Sequence, residues 1–237
     1  MVRLAISGAC GKMGSRIIAL AKLSGDFKIA VCLERKGHPD IGKELENVKI
    51  TDDPNRITDA DVMIEFTSPE ATIEHVEYAF RYRKPIVIGT TGLSEEQKRQ
   101  IREFSKKIPV VFSPNMSIGV NLFFKLVQEA ASKLKGYAVN MSEAHHVHKK
   151  DAPSGTAKRL AEIVKEHSGT EVKNIKSIRE GEIVGDHEVV FEGDFDTIKL
   201  SHSAKTRDIF VQGALEAARW LVNKKSGLYD LQDVLTK

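Results

Sequence analysis

Cysteine is scarce, with Cys10 and Cys32 the only two in 237 residues. The opening Met-Val-Arg-Leu-Ala-Ile-Ser-Gly has neither an extended apolar core nor a cleavage-like segment, so a reducing cytoplasm is expected. Long apolar runs are missing too: none approaches the roughly 20 residues that a helix needs to span a bilayer, and no membrane partner is expected. Charge of one sign is nowhere gathered into a block. Lys/Arg and Asp/Glu are interspersed, with a net charge of +3 and a pI near 8.7. That balance argues for anionic small molecules and against nucleic acid. Internal repeats and low-complexity tracts are absent. What is present is a globular composition, 41% hydrophobic, sufficient for one large domain or two small ones.

The first half reads as a phosphate-binding β-α-β unit. Val2 to Ile6 is a short β-prone run, followed by Ser7-Gly-Ala-Cys-Gly-Lys-Met-Gly14 and then a helix with Ile17, Ile18, Leu20 and Ala21 on one face. A second strand runs from Phe27 to Leu33. Glycines at 8, 11 and 14 permit close backbone approach, and a helix N-terminus attracts a pyrophosphate. The spacing is one residue longer than G-x-G-x-x-G and is weak evidence alone. Glu34, twenty residues after Gly14, strengthens it, since a carboxylate there accepts hydrogen bonds from an adenosine ribose. Glu34 favours NAD, whereas Arg35 and Lys36 can hold the extra phosphate of NADP, so the site is equipped for either. Further strands at 61–67, 85–88 and 109–112 alternate with helices at 71–82 and 94–106, which predicts a parallel sheet covered on both faces. Three polar loops leave those strands at 66–69, 89–92 and 113–116, where ligands of such sheets bind.

The pattern changes after Asn115. A strongly apolar helix is expected at 122–131, a strand at 138–144, and a helix at 156–167 with Ser154-Gly-Thr156 at its start. The unsatisfied amides there favour a substrate carboxylate at Gly155 and Thr156, alongside ordinary capping. Strands at 175–179, 188–192 and 196–203 are expected to be antiparallel, forming an α+β domain. The helix at 213–222 is expected to return to the first domain, and residues 223–237 to form an ordered tail. The fold class is therefore α/β, a Rossmann-like doubly wound parallel sheet with a second, smaller α+β domain for the substrate. The expected division is 1–115 plus 207–237 for the dinucleotide and 116–206 for the substrate.

Glu143-Ala-His-His-Val-His-Lys-Lys-Asp-Ala-Pro-Ser-Gly-Thr156 concentrates the chemistry. Imidazole exchanges protons near neutral pH, and Lys149 and Lys150 favour anions. A zinc site is disfavoured. On a strand His146 and His148 face one side and His145 the other, and the lysines repel a dication. No metal is expected; His148 is the candidate for a structural role. Hydride delivery to an electron-poor C=C or C=N leaves charge that a histidine can quench, with a lysine assisting. The substrate should be small, unsaturated and anionic.

E-x-H-x-x-x-K-x-D-x-P-S-G-T-A, present as Glu143, His145, Lys149, Asp151 and Pro153 through Ala157, resembles the 4-hydroxy-tetrahydrodipicolinate reductase family, formerly dihydrodipicolinate reductase. Supporting matches are Gly8 to Met13, Glu34-Arg35, Phe66-Thr67, Gly89 to Thr91, Ser113 to Met116 and the 210–221 helix. The resemblance spans essentially the whole chain. It implies His145 as proton donor/acceptor, Lys149 as the second catalytic group, and His146, Gly155 and Thr156 as substrate contacts. It implies NADH or NADPH held by Gly8, Ala9, Cys10, Gly11, Lys12, Met13, Glu34 and Arg35. Gly89, Thr90 and Thr91, and Ser113, Pro114, Asn115 and Met116, would complete that site. The reaction implied is NAD(P)H-dependent reduction of (2S,4S)-4-hydroxy-2,3,4,5-tetrahydrodipicolinate to tetrahydrodipicolinate with loss of water, in diaminopimelate and lysine biosynthesis, by a homotetramer. The resemblance thereby adds oligomerisation to the role of the second, substrate-binding domain. Asn140 and Met141 depart from the family's acid and β-branched residue, and 167–182 is compact beside longer members. The alternatives are a reductase of another small dicarboxylate and a nonenzymatic nicotinamide sensor.

Overall fold

A computed structural model describes residues 1–236. The chain divides into two compact units, Met1–Met116 with the segment from Phe210 onward, and Ser117–Ile209.

In the first unit the strands are β1 (Val2–Ser7), β2 (Phe27–Leu33), β3 (Glu44–Leu45), β4 (Val48–Thr51), β5 (Val62–Glu65), β6 (Ile86–Ile88), β7 (Pro109–Phe112) and β12 (Gly227–Tyr229). They form one sheet in the order β12-β7-β6-β5-β1-β2-β4-β3. β1 pairs in parallel with β2 on one side and β5 on the other. The chain order reverses at β1, so the carboxyl ends of these three strands frame the crevice where open α/β sheets bind ligands. One apolar layer packs Ile17, Ile18 and Ala21 of α1 (Lys12–Ser24) and Val211, Ala214 and Ala218 of α6 (Asp208–Leu221) against Leu4, Ile6 and Ile64. The opposite layer sets Val76 and Ala79 of α2 (Pro69–Arg81) and Ile101 of α3 (Glu95–Ser105) against Met63, Ile86 and Ile88. Both faces are covered, which is why the strands read as unbroken apolar runs. Ser68 and Ser94 cap α2 and α3, accepting from Ala71 N and Gln97 N.

The sheet is not wholly parallel. β3 and β4 form an antiparallel edge hairpin, turned by Glu46 and Asn47 at φ 53 and 64. The last long helix packs in this unit as expected, and the described part of the tail is ordered: β12 joins β7, and α7 (Leu231–Leu235) buries Leu231 and Val234. α6 begins at Asp208, earlier than its periodicity indicated.

The second unit holds α4 (Ile118–Lys133), β8 (Ala138–His145), α5 (Gly155–Ser168), β9 (Ile175–Arg179), β10 (Gly185–Glu192) and β11 (Thr197–Ala204). Its sheet runs β11-β10-β8-β9. Phe123, Phe124 and Val127 of α4 and Leu160, Ile163 and Val164 of α5 cover one face through Met141, Val189 and Phe191. The expectation of wholly antiparallel strands is corrected here: β9 lies parallel to β8, because α5 connects them and returns the chain to the same end of the sheet. Among the described residues no helix is long and apolar enough to cross a membrane.

Candidate active site

In the first unit, the glycine loop is shaped by close backbone approach. Gly8 has φ +65, and a Cβ at Gly14 would stand 2.1 Å from the Gly8 carbonyl oxygen, far inside contact distance. Only glycine lets α1 start this near β1, leaving its first amides free for an anion. Glu34, at the end of β2, accepts from Cys10 N at 2.8 Å and from Arg35 N at 3.3 Å. The predicted ribose carboxylate thus stands against the predicted phosphate loop. Gly8, Cys10, Gly11, Glu34, Arg35 and Lys36 line a cavity of about 610 Å³ that also takes in Thr67, His75 and Tyr78. Met13, Gly89, Thr91, Pro114 and Met116 line a second hollow of about 200 Å³ with Phe66 and Phe210. Residues fitted to a dinucleotide are therefore present, with an acid and two cations at one end.

Other predicted cofactor residues sit behind these surfaces or beside them. Ala9 is fully buried, Lys12 is exposed at the start of α1, and Ser113 Oγ donates to the Asn115 carbonyl at 2.8 Å. Thr90 is buried and accepts from Thr67 N at 3.1 Å while bonding Thr72 Oγ1 at 2.9 Å. Beneath it lies a network missed in the sequence. Fully buried Glu65 bonds His75 Nδ1 at 2.6 Å and the Thr67 hydroxyl, and Ser7 Oγ lies 2.9 Å from the same imidazole nitrogen. Burial pulls the His75 pKa down, but the hydrogen bond and charge of Glu65 outweigh it and leave it raised.

In the second unit, β8 alternates so that Met141, Glu143 and His145 face inward. His145 closes the strand. Its Nδ1 lies 2.5 Å from Glu143 Oε2. Sheet register then brings up two residues the sequence reading overlooked: His145 stands opposite Arg179 on β9, and Glu143 opposite His187 on β10. Arg179 grips both Glu143 oxygens, Nη1 to Oε2 at 3.0 Å and Nη2 to Oε1 at 2.8 Å. Burial raises the Glu143 pKa, yet the hydrogen bonds from Arg179 and His145 prevail and hold it below the ordinary value. An ionised carboxylate can only accept, so Nδ1 carries the His145 proton and Nε2 is the ring nitrogen left as an acceptor. A Cβ at Gly185 would stand 3.1 Å from that Nε2, so Gly185 keeps its surroundings open. Burial lowers the His145 pKa despite the opposing pull of Glu143, which favours the neutral imidazole.

His187 links this imidazole to the expected anion cradle. Its ring meets that of His145 edge-on at 5.2 Å between centroids, and its Nε2 lies 3.1 Å from Oγ of Ser154. Ser154 caps α5, accepting from Ala157 N. Gly155 and Thr156 supply the first turn of α5, and a Cβ at Gly155 would meet nothing within 4 Å. Burial together with the neighbouring His145 pushes the His187 pKa down to about 4. Lys149 Nζ pairs with Asp151 at 2.8 Å. His146 Nε2 accepts from Arg207 Nη2 at 3.3 Å, adding a cation the sequence reading did not name. Val147 and His148 are exposed, with the His148 ring 6.2 Å from that of His146.

Glu143, His145 and His187 lie close enough together to hold an ion, as do Cys10, His38 and Asp40. Each set has an internal explanation. Arg179 takes up both Glu143 oxygens and opposes a dication, Lys43 holds Asp40 at 2.5 Å, and burial pushes the Cys10 thiol up.

Family models for dihydrodipicolinate reductase match the chain in two parts, the N-terminus at residues 2–116 and the C-terminus at 119–235. A 4-hydroxy-tetrahydrodipicolinate reductase from Citrifermentans bemidjiense is 39% identical over 264 residues, covering 99% of both chains. Its counterpart from Geobacter metallireducens is 40% identical with the same coverage. These alignments exceed the 237 residues of this chain, so the relatives carry segments it lacks. The dipicolinate-bound dihydrodipicolinate reductase of Paenisporosarcina sp. TG-14 superposes with a TM-score of 0.86 at 24% identity, covering 98% of this chain and 99% of that one. An amine dehydrogenase from Mycobacterium smegmatis shares the fold more loosely, with a TM-score of 0.63 at 10% identity over 98% and 95% of the two chains. Architecture alone therefore leaves the reaction open; the sequence matches across both halves do not, and the chain belongs to the dihydrodipicolinate reductase family.

Proposed function

We propose that the chain reduces 4-hydroxy-tetrahydrodipicolinate to tetrahydrodipicolinate with loss of water, using NADH or NADPH, in diaminopimelate and lysine biosynthesis. The observation that carries this reading is the Glu143–His145 pair, poised at the strand end that leads into Lys149 and the α5 N-terminus. A nicotinamide held there would supply the hydride. Gly8, Gly11 and the first turn of α1 would hold the pyrophosphate, Glu34 the ribose, and Arg35 the extra phosphate of NADP. Gly155 and Thr156 would hold one substrate carboxylate through their amides, with Arg207, bonded to His146, supplying a further donor.

His145 starts neutral with its proton on Nδ1. A dianionic substrate beside the imidazole favours the imidazolium, so Nε2 takes up a proton as the substrate binds. It surrenders that proton to the charge left by hydride addition and returns to its starting tautomer, still bonded to Glu143. Lys149 supplies a second positive charge to the same chemistry. A nicotinamide sensor has little need for His145 and Lys149 together, which favours the enzyme. Cofactor consumption that depends on the product of dihydrodipicolinate synthase tests the reading.

The scarcity of cysteine supports a cytoplasmic location, and the resemblance carries a homotetramer assembled through the substrate-domain sheet. The face of that sheet away from α4 and α5 presents Asn140, Ser142, Lys176 and Glu188. Arg35→Glu is expected to raise KM for NADPH at least ~10-fold while changing KM for NADH far less, because the reversed charge meets a phosphate only in NADPH. Steady-state kinetics with both cofactors checks this; equal shifts would remove Arg35 from the phosphate contact.

A further inference from the structure

Arg179 contacts both the acid–base pair and the loop that follows it. Its guanidinium holds both oxygens of Glu143, which is itself fully buried. The same Nη2 donates to the Asp151 carbonyl at 2.5 Å, and Asp151 in turn pairs with Lys149. One planar group therefore ties the strand that carries His145 to the loop that carries Lys149.

We infer that Arg179 is a positioning residue for the reaction: by gripping both oxygens of Glu143 it makes that carboxylate a pure acceptor and so fixes the His145 proton on Nδ1. The inference rests on the reading of His145 as the proton donor. A buried carboxyl without its cation takes up a proton to escape the cost of unpaired burial. Glu143 would then donate to Nδ1 instead of accepting from it. The imidazole would be forced into the tautomer with its proton on Nε2, and Nε2 could no longer take up a proton as substrate arrives. Lysine cannot reproduce the clamp, because one ammonium lacks the fork that meets two oxygens at once.

The charged and titratable groups around His145 come from each neighbouring element: Glu143 on β8, Arg179 on β9, His187 on β10 and Lys149 in the following loop. His187 is held neutral near pH 7 by burial, so it adds no charge there. That leaves the Arg179–Glu143 pair to set the tautomer, with Lys149 opposing the imidazolium.

The experiment is nitrogen-15 NMR of histidine-labelled protein, with the His145 ring signals assigned by their loss in His145→Gln. Wild type is expected to show the Nδ1–H tautomer when neutral. Arg179→Met is expected to move His145 toward Nε2–H, to lower kcat at least ~10²-fold, to leave substrate KM within about threefold, and to shift the pH profile of kcat. Arg179→Lys is expected to show a mixed tautomer and an intermediate kcat. An Arg179→Met protein that folds, as judged by circular dichroism, and keeps the Nδ1–H tautomer overturns the inference whether or not kcat falls. Should the Met variant not fold, the Lys variant decides, with a wild-type tautomer and kcat overturning the inference. The NMR result stands apart from turnover: an inactive wild type with the expected tautomers would sink the enzyme reading and leave the clamp intact.

Discussion

His145→Gln is expected to lower kcat by ~10²–10⁴-fold with little change in substrate KM, the range typical of a general acid–base group. Glutamine fills similar space and can still bond Glu143, but it cannot take up and release a proton near neutral pH. The fold should tolerate the change. Glu143 retains both of its bonds from Arg179, so no unpaired buried charge is created. Steady-state kinetics and a melting curve check both halves of the expectation. A loss under tenfold in kcat would remove His145 from the proton transfer, whereas a large rise in KM alone would recast it as a binding residue.

The second large effect is expected at Gly14. A Cβ there would lie 2.1 Å from the Gly8 oxygen and 2.8 Å from both Gly8 C and Ala9 Cα. These are backbone atoms that cannot rotate away, so Gly14→Ala must push α1 from the loop. Overpacking of this kind costs about 1–3 kcal/mol, and a displacement near 1 Å at a binding loop can cost ~10²-fold. Gly14→Ala should therefore raise the cofactor Kd at least ~10-fold and lower the melting temperature, with the His145 NMR signals unchanged. Gly25→Ala supplies the control. Gly25 ends α1 at φ +71 with nothing within 4 Å of a Cβ, so alanine there is strained and costs about 1 kcal/mol. It should leave cofactor affinity alone. Calorimetric titration with NADH separates the two, and an unchanged Kd in Gly14→Ala would show that the loop does not hold the pyrophosphate.

Local signals carried the parts of this molecule that are built from neighbouring residues. The run Val2 to Leu33 shows strand, glycine turn, amphipathic helix and strand in order, and the acid at position 34 stands where such units place it. Ser154-Gly-Thr156 likewise announces a capped helix, and Ser154 does cap α5. The β3–β4 hairpin escaped notice because its strands are two and four residues long and its turn uses Glu46 and Asn47 rather than glycine. The orientation of β9 was misjudged from its texture alone. A strand, a helix and another strand in succession require a crossover, and a crossover makes the pair parallel.

The candidate site divides in the same way. Glu143 and His145 are two residues apart on one strand, so alternation places them on a common face. Arg179 is 36 residues from Glu143, and His187 is 33 from Ser154. No periodicity spans such distances. Sheet register alone brings these side chains together, pairing His145 with Arg179 and Glu143 with His187. The Glu65–His75 pair beneath the cofactor loops was hidden for another reason: His75 lies inside an ordinary amphipathic helix, and only the buried end of β5 reveals its partner.

The most direct test of the central claim is a coupled assay in which dihydrodipicolinate synthase generates the substrate in the presence of this chain and either NADH or NADPH. Nicotinamide absorbance should fall only when the synthase product is present, with tetrahydrodipicolinate formed in equal amount to the cofactor consumed. Absence of oxidation with both cofactors, by folded protein that binds them, would contradict it.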